Sequence, residues 1–414
     1  MIDLDFVKNN LSAYKENLQR RQMDAEKLGL DKILVFYDEK KELVKEIQEL
    51  ERKRNLLTGK VEERDAAREL KKTLQEKQSK LREIETMLEE HSLALPNMAS
   101  KDVPVGKDES ENVVLRESGT KPSLERPKDY LALAGSLIKM EEAAEVAGAR
   151  FSYLLGDLAL LEFSLVQLAF AKLIPQGFVP IIPPVMVKPE VMKKMGKAKF
   201  IKDNDAFQIA EDNLYLVGSA EHSIGPLHMD YMFKQEELPR RYVGFSTSFR
   251  REAGSYGKDT KGILRVHQFD KVELFSFCKP AESEAEHQFL LARQEELMQS
   301  LELPYRVMQI CTGDMGFGDY NQCDIETWLP GQGKYRETQS CSNTTDFQSR
   351  GIHAKWRNPN SNNKAEFVHT LNATGFAMTR MIIAILENYQ QPDGSVLIPK
   401  ALQPYMGKEK IELH

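Results

Sequence analysis

Apolar residues near the start of the chain recur in steps of three and four. They run Leu43, Ile47, Leu50 and Leu57, then resume after Thr58-Gly59-Lys60 at Ala67, Leu70, Leu74, Leu81, Ile84 and Leu88. Arg54 and Lys77 fill the two sites of this pattern that are polar. The spacing places the apolar side chains on one stripe of a helix, a stripe that must be covered by another. Two stripes interrupted by a glycine predict a helical hairpin, two antiparallel helices zipped along their length. Helices of roughly 25 to 30 residues, at 1.5 Å per residue, make an arm about 40 Å long.

The pattern changes after Leu95-Pro96-Asn97. The stretch KDVPVGKDESENVV reads as a linker, with proline and glycine ending the helix. Beyond it, helical segments over 134–146 and 156–175 are interspersed with short β-rich runs: FVPIIPP, NLYLVG, RYVGFSTSF, KVELFSFC and YRVMQI. A last long helix is predicted over 374–389. Helices with many short strands predict an α+β domain on an antiparallel sheet. The expected domains are a helical arm over 1–100 and a second domain over 101–414. No internal repeat is visible. No stretch approaches the ~20 apolar residues that cross a bilayer, and MIDLDFVKNN has no signal-peptide pattern.

Charge and cysteine usage narrow the partners. A net charge of −6 over 414 residues gives no global basic field, so any RNA contact must come from a local patch. One candidate is Arg52, Lys53, Arg54, Lys60 and Arg64 near the turn of the arm. That cluster reads either as a solvated coiled-coil tip or as a phosphate-contacting arm, and the arm alone does not decide between them. The four cysteines, Cys278, Cys311, Cys323 and Cys341, are far apart and form no CxxC pair. They predict neither a disulfide framework nor a cysteine-rich zinc site, and the cytoplasm is the default compartment.

The segment FRREAGSYGKDTKGILRVHQFDKVELF (249–275) carries the most chemistry. It leaves a strand-like run, passes through a glycine-rich polar loop and returns into a second. Arg250 and Glu252, two apart on one strand, would share a face able to hold a phosphate and an amine. Arg265 and Phe269, four apart on the returning strand, would share another, where an aromatic beside a cation suits a flat base. A surface hairpin with ordinary cross-strand pairs is the plain alternative.

Here the sequence resembles the class II aminoacyl-tRNA synthetases, in the seryl form. FRREAGS…RVHQFDKVE is similar to motif 2 of that class. NLYLVGSAEH (213–222) resembles the serine-binding Thr-Ala-Glu segment, and ETQSCSNTTDFQSR (337–350) the Glu-x-x-Ser-Cys-Ser-Asn segment. HTLNATGFAMTRMIIAILENYQ (369–390) resembles motif 3, and GFVPIIPPVMV (177–187) resembles motif 1, which forms much of the dimer interface. The arm, the Pro-Asn linker and these motifs occur in the family's order and cover nearly the whole chain.

The resemblance implies a six- or seven-stranded antiparallel sheet flanked by helices and preceded by a coiled-coil arm. It implies a homodimer in which the arm reaches the long variable arm of a tRNA by shape and phosphate contacts. It implies a ligase that uses ATP and Mg²⁺ to join serine to tRNA(Ser), and to tRNA(Sec) where one exists. The first step needs alignment and charge neutralisation rather than a strong base, because the attacking carboxylate is already ionised.

By the same resemblance, Arg250 grips the α-phosphate and the serine carboxylate, with Arg251 beside it on the nucleotide. Glu252 reads the adenine amino group, Phe269 stacks on the ring, and the main chain of Val266 lies alongside. Arg380 stacks near the adenine or meets the γ-phosphate of a bent ATP, and Arg265 assists the phosphates. Glu337, Thr338, Gln339 and Ser340 face ATP, with Glu337 and Ser340 on the metal. Ser219, Ala220 and Glu221 surround the serine ammonium, while Glu273, Thr374 and Asn372 stand near its hydroxyl. A buried acceptor such as Glu273 is left unpaired by alanine, which disfavours it strongly; threonine, larger by one methyl, can be rejected only by crowding.

Ser219 stands where the family usually has Thr, so the methyl that would crowd the pocket is missing. Thr379 replaces a usual Gly, Thr344 a usual Cys and Gly351 a usual basic residue; none removes an assigned charge. Relatives that acylate carrier proteins lack the arm, which this chain has. Non-catalytic homologues lose arginines or acids of the ATP site, which are present here. A purely structural coiled coil does not account for the sequence beyond the arm, and the scattered cysteines argue against the zinc-dependent seryl form.

Overall fold

The computed structural model describes residues 1–57, 64–253, 261–359 and 364–412. It divides into two compact units, Met1–Met98 and Ala99–His414.

In the first unit, the two stripes form helices α1 (Leu30–Leu57) and α2 (Arg64–Ser92), of 28 and 29 residues. Leu43, Ile47, Leu74, Ile84 and Leu88 are buried, and Leu50, Leu70 and Leu81 are half-buried along the same seam. Lys77, the polar site in the stripe of α2, is answered by Glu46 of α1 at 2.7 Å. At the base, Val7, Tyr14, Leu18, Leu30, Ile33, Leu88 and Leu95 form a small core. The Pro-Asn segment is fastened there, with Tyr14 Oη donating to Pro96 O (2.9 Å) and Asn17 Nδ2 to Asn97 O (3.2 Å). The turn Thr58-Gly59-Lys60 lies outside the described residues.

The second unit is organised by an eight-stranded sheet. Its strands are β1 (Val113–Ser118), β2 (Phe178–Ile181), β3 (Arg240–Phe249), β4 (Gln268–Cys278), β5 (Tyr305–Gln309), β6 (Asn321–Leu329), β7 (Lys334–Asn343) and β8 (His369–Ala377). They lie in the order β1-β5-β6-β7-β8-β4-β3-β2. All neighbours are antiparallel except β2 and β3, which run parallel. The sheet is therefore larger than the six or seven strands expected and carries one parallel edge. A long excursion over 182–239 separates β2 from β3, and a crossover of that kind is what a parallel pair requires.

Three helices cover one face: α3 (Asp157–Leu173), α4 (Ser283–Ser300) and α5 (Met378–Asn388). The main core gathers Leu161 and Leu165 of α3, Leu290 and Leu297 of α4 and Ile382 and Ile385 of α5 against Val272 and Leu274 of β4. Side chains alternate along β4, so Lys271 and Glu273 point to the opposite face. That alternation sets up the site.

Three expectations need correction. Residues 374–377 belong to β8, since Thr374 pairs with Glu273 and Phe376 with Val272, and the last helix starts only at Met378. The helix expected over 134–146 breaks into Tyr130–Ala134 and Glu141–Ala147, because the chain turns at Gly135, at φ +51°. One stretch, Asp157–Gln176, is long and apolar enough by length and composition to cross a membrane. Its Leu158, Leu161, Leu165, Leu168 and Leu173 are spent on the core of this domain.

Candidate active site

The β3–β4 ladder ends at the pair Phe249–Gln268, just before the residues of interest. Arg250 and Glu252 are therefore not on a strand: Glu252 turns at φ +53°, a left-handed conformation uncommon outside glycine. Arg265 likewise lies in a bend before β4 starts at Gln268, rather than on one strand with Phe269. Local bonds fix this irregular backbone. Arg250 N donates to His267 O (3.0 Å), and the His267 ring nitrogen Nδ1 meets Arg250 O at 3.0 Å. Arg150 Nη1 donates to Glu252 O at 3.4 Å. Segment 254–260 lies outside the described residues.

These residues nevertheless converge. A cleft of about 260 Å³ is lined by Arg250, Glu252, Arg265, Val266 and Phe269 together with Glu337, Thr338 and Ser340 of β7, Thr374 of β8 and Arg380 of α5. The Arg250 guanidinium stands 5.5 Å from the Phe269 ring centroid, and its Nε donates to Gly218 O at 3.1 Å. Glu252 and Arg265 pair at 3.4 Å. Arg380 Nη1 is 3.2 Å from Glu337 Oε1 and donates to Glu337 O at 2.9 Å. Desolvation pushes the Glu337 carboxyl up, but the charges of Arg380, Arg250 and Arg265 outweigh it and hold the group below the usual carboxylate range. The cleft thus offers an aromatic face, several guanidinium groups and the ionised carboxylate of Glu337, a set that matches a base and its phosphates.

A second cavity of about 500 Å³ adjoins the first and shares Arg250 and Asp205 with it. Glu221 lies there, its Oε1 2.6 Å from Lys197 Nζ and its Oε2 accepting from Gln348 Nε2 at 3.2 Å. Burial alone would raise its pKa; the Lys197 ammonium overrides that and brings it down to about 2. His222 is pushed down to about 3, first by burial and then by Lys197. It stays neutral and accepts from Gly218 N through Nδ1 at 3.2 Å. Ser219 Oγ accepts from Glu221 N (3.3 Å), and Ala220 packs in the core.

Glu273, 1% exposed, pairs with Lys271 Nζ at 2.5 Å. Burial raises its carboxyl, opposed by Lys271. Thr374 is its cross-strand partner on β8.

Some predicted residues stand elsewhere. The Arg251 guanidinium lies over Phe207 (4.6 Å) and donates to Ala206 O, away from the cleft. Gln339 is buried on the face of β7 opposite its neighbour Ser340, donating to Gly375 O, and a bulge at Thr338 lets Glu337 share the cleft face with Ser340 although the two are three residues apart. Thr338 reaches the lining, but its hydroxyl is engaged by Thr327 Oγ1 at 2.8 Å. Asn372 lies outside both cavities, in register with Ser342.

The cleft also contains residues that sequence reasoning missed. Lys271 lines it, and its place between Phe269 and Glu273 on one strand was a readable signal. Asp205 lines both cavities from a remote loop, and nothing in the local sequence marked it.

Among the described residues, no group of three or more His, Cys, Asp or Glu could hold a metal ion by itself. The oxygen donors of Glu337 and Ser340 fit a hard cation that rests partly on a nucleotide's own phosphates. On the arm, Arg52, Lys53 and Arg54 are exposed near the end of α1, and Arg64 opens α2. Lys60 lies outside the described residues.

Comparison with known proteins gives one answer. Residues 1–99 match the seryl-tRNA synthetase N-terminal domain, and residues 204–389 the tRNA synthetase class II core domain (G, H, P, S and T). The serine--tRNA ligase of Dictyoglomus turgidum is 38% identical over 423 residues, covering 99% of either chain. That of Acidothermus cellulolyticus is 47% identical over 323 residues, 77% of this chain and 76% of the relative. The structure is similar to a seryl-tRNA synthetase from Pyrococcus horikoshii complexed with ATP, with a TM-score of 0.91, 37% identity and all of both chains covered. It is also similar to the cytoplasmic serine-tRNA ligase from Naegleria fowleri in complex with AMP, with a TM-score of 0.87, 29% identity and 100% and 99% covered.

Proposed function

The chain belongs to the seryl-tRNA synthetase family, and from that premise we propose how its residues divide the work. The reaction is the ligation of serine to tRNA(Ser) at the expense of ATP. An oxygen of the serine carboxylate attacks the α-phosphorus; the bond from that phosphorus to the bridging oxygen breaks, and pyrophosphate leaves with the electron pair. A terminal ribose hydroxyl of the tRNA then attacks the acyl carbonyl and displaces AMP, the hydroxyl proton passing to solvent or the phosphate.

Phe269 and Arg380 take the two faces of the base, and Glu252 reads its amino group. Arg250, on the boundary between the two cavities, holds the α-phosphate and the serine carboxylate together, which is the alignment the first step needs. Glu221 receives the ammonium and Glu273 with Thr374 the hydroxyl, with Ser219, Ala220 and Asn372 supporting this pocket. Arg251, Gln339 and Thr338 support the nucleotide site through packing and backbone. Glu337 and Ser340 would hold Mg²⁺, which when bound neutralises phosphate charge.

Further parts of the reading rest on the surface. Arg52, Lys53, Arg54, Lys60 and Arg64 contact tRNA phosphates, and tRNA(Sec) is accepted where one exists. Leu160, Phe163 and Ile182, 51%, 59% and 82% exposed beside the motif 1-like strand, support a homodimer. The free cysteines suit the reducing cytoplasm.

The observation that carries the reading is the convergence of Arg250, Phe269, Glu337 and Arg380, far apart in sequence, on one cleft. Pyrophosphate exchange into ATP, run with each of the twenty amino acids, tests it. Serine should dominate, and exchange driven by another amino acid, or by none, overturns it.

A further inference from the structure

On β4, Phe269, Lys271 and Glu273 alternate with residues that face the core, and the register with β3 is unbroken across all three. Alternate positions on a strand lie about 6.6 to 6.8 Å apart. In the reading above, Phe269 stands at the base and Glu273 at the serine hydroxyl. The position between them is where adenylate and amino acid join, and Lys271 occupies it.

Its environment is more than that of a counter-ion. The side chain is 7% exposed and pairs with Glu273 at 2.5 Å. Yet it is Lys271, not Glu273, that lines the nucleotide cleft beside Arg250, so the ammonium stands between the buried carboxylate and the cavity. An ammonium has three N–H donors in a compact head. One faces Glu273, which leaves two more for a ligand in the cleft that Lys271 lines. Ser246, the cross-strand partner of Lys271, is a neutral residue, and the other anion that feels the ammonium, Glu221, is already paired with Lys197 at 2.6 Å.

We propose that Lys271 is a further substrate-contacting residue of the activation step: its ammonium bridges Glu273 and the junction of the serine carboxylate with the α-phosphate. It moves no proton and forms no covalent bond. It holds the attacking oxygen next to Arg250 and meets the charge that accumulates on the α-phosphoryl group as pyrophosphate leaves. The inference rests on the proposed function, and serine-dependent exchange by the unaltered chain tests that function separately.

The decisive comparison removes the buried carboxylate first. In the E273Q background, Lys271 loses its ion-pair partner and keeps only the longer-range attraction of Glu221. Adding K271M there should lower kcat for serine-dependent exchange a further 10²- to 10³-fold, about the loss of one preorganised charge at a reacting centre. KM for ATP should hardly change, because the base contacts remain. A double variant with the kcat of E273Q alone overturns the proposal and leaves Lys271 a counter-ion. Thermal melting of both variants shows whether the fold is kept. If the double variant does not fold, K271R against K271M with Glu273 intact decides. Activity retained by arginine and lost with methionine supports the bridge; equal loss in both overturns it.

Discussion

Both regions of the molecule contain a lysine–glutamate pair at hydrogen-bonding distance, and the two pairs do different things. In the arm, Lys77 and Glu46 meet at 2.7 Å with side chains 32% and 52% exposed. In the catalytic unit, Lys271 and Glu273 meet at 2.5 Å with side chains 7% and 2% exposed. Water screens the first pair, whose contribution is about 0–1 kcal/mol. The second has little water to fall back on, so removing either partner strands a charge at a cost of about 3–5 kcal/mol. The arm spends its energy on an apolar seam and keeps charge outside. The catalytic unit buries charge where chemistry needs it.

The largest test of that contrast lies at the cleft. Arg250→Ala and Arg380→Ala should each reduce serine-dependent exchange by at least about 10²-fold, since the first removes donors that hold the α-phosphate and the second a face of the base and the partner of Glu337. Melting temperature should fall little, because both side chains reach the cleft surface. Variants that keep exchange but lose stability would mean that these arginines are structural, like the pairs of the arm.

Glu273→Gln comes next. It keeps an acceptor but removes the charge, so preference for serine over alanine should fall by about 10²-fold, part of the discrimination a hydroxyl-binding site can reach. Exchange rates with both amino acids measure it; an unchanged ratio would place the hydroxyl elsewhere. Ser219→Thr acts on the other side of specificity. Its added methyl should lower threonine-dependent exchange by about tenfold, the lower end of what one methyl group commands. Equal threonine rates before and after the change would remove Ser219 from the pocket.

How much of this was readable before folding differs between the regions for the same physical reason. A helical arm is local, and a period of three and four residues states which side chains face inward, so Leu43, Ile47, Leu74 and Leu88 could be placed from sequence. Strand chemistry is non-local. Thr374 was expected to start a helix, but pairing with Glu273 keeps it in β8. Arg250 and Glu252 were expected on one strand, but the ladder ends at Phe249. Several motif residues still converge on one cleft, because resemblance carries long-range information that periodicity lacks. Lys271 was missed although strand alternation pointed to it, and Asp205 had no local signal.

A pH effect should separate the regions again. Glu387 of α5 is fully buried and accepts from Gly331 N (2.8 Å) and Tyr130 N (3.3 Å). Burial raises its pKa from 4.5 to about 7. Its folded-state value exceeds its unfolded value, so its contribution is full below pH 4.5 and is lost as pH rises through about 7. Glu387→Gln removes that loss. The melting temperature of the variant, relative to the unaltered chain, should therefore be higher at pH 8 than at pH 5. A difference independent of pH would show that Glu387 does not titrate in this window.

The smallest effect belongs to the arm. Lys77→Met places an apolar side chain in the seam site that the lysine leaves polar, and it removes the pair with Glu46. The lost ion pair costs about 0–1 kcal/mol, while the methionine regains part of that by burying apolar surface in the seam. Urea unfolding of the arm signal should shift by less than about 1 kcal/mol in either direction. The same variant should leave serine-dependent exchange unchanged, because activation takes place in the other unit. A loss near the 3–5 kcal/mol of a buried pair would mean that Lys77 and Glu46 are shielded from water after all. The distinction between a screened arm and a desolvated cleft would then rest on the chemistry alone.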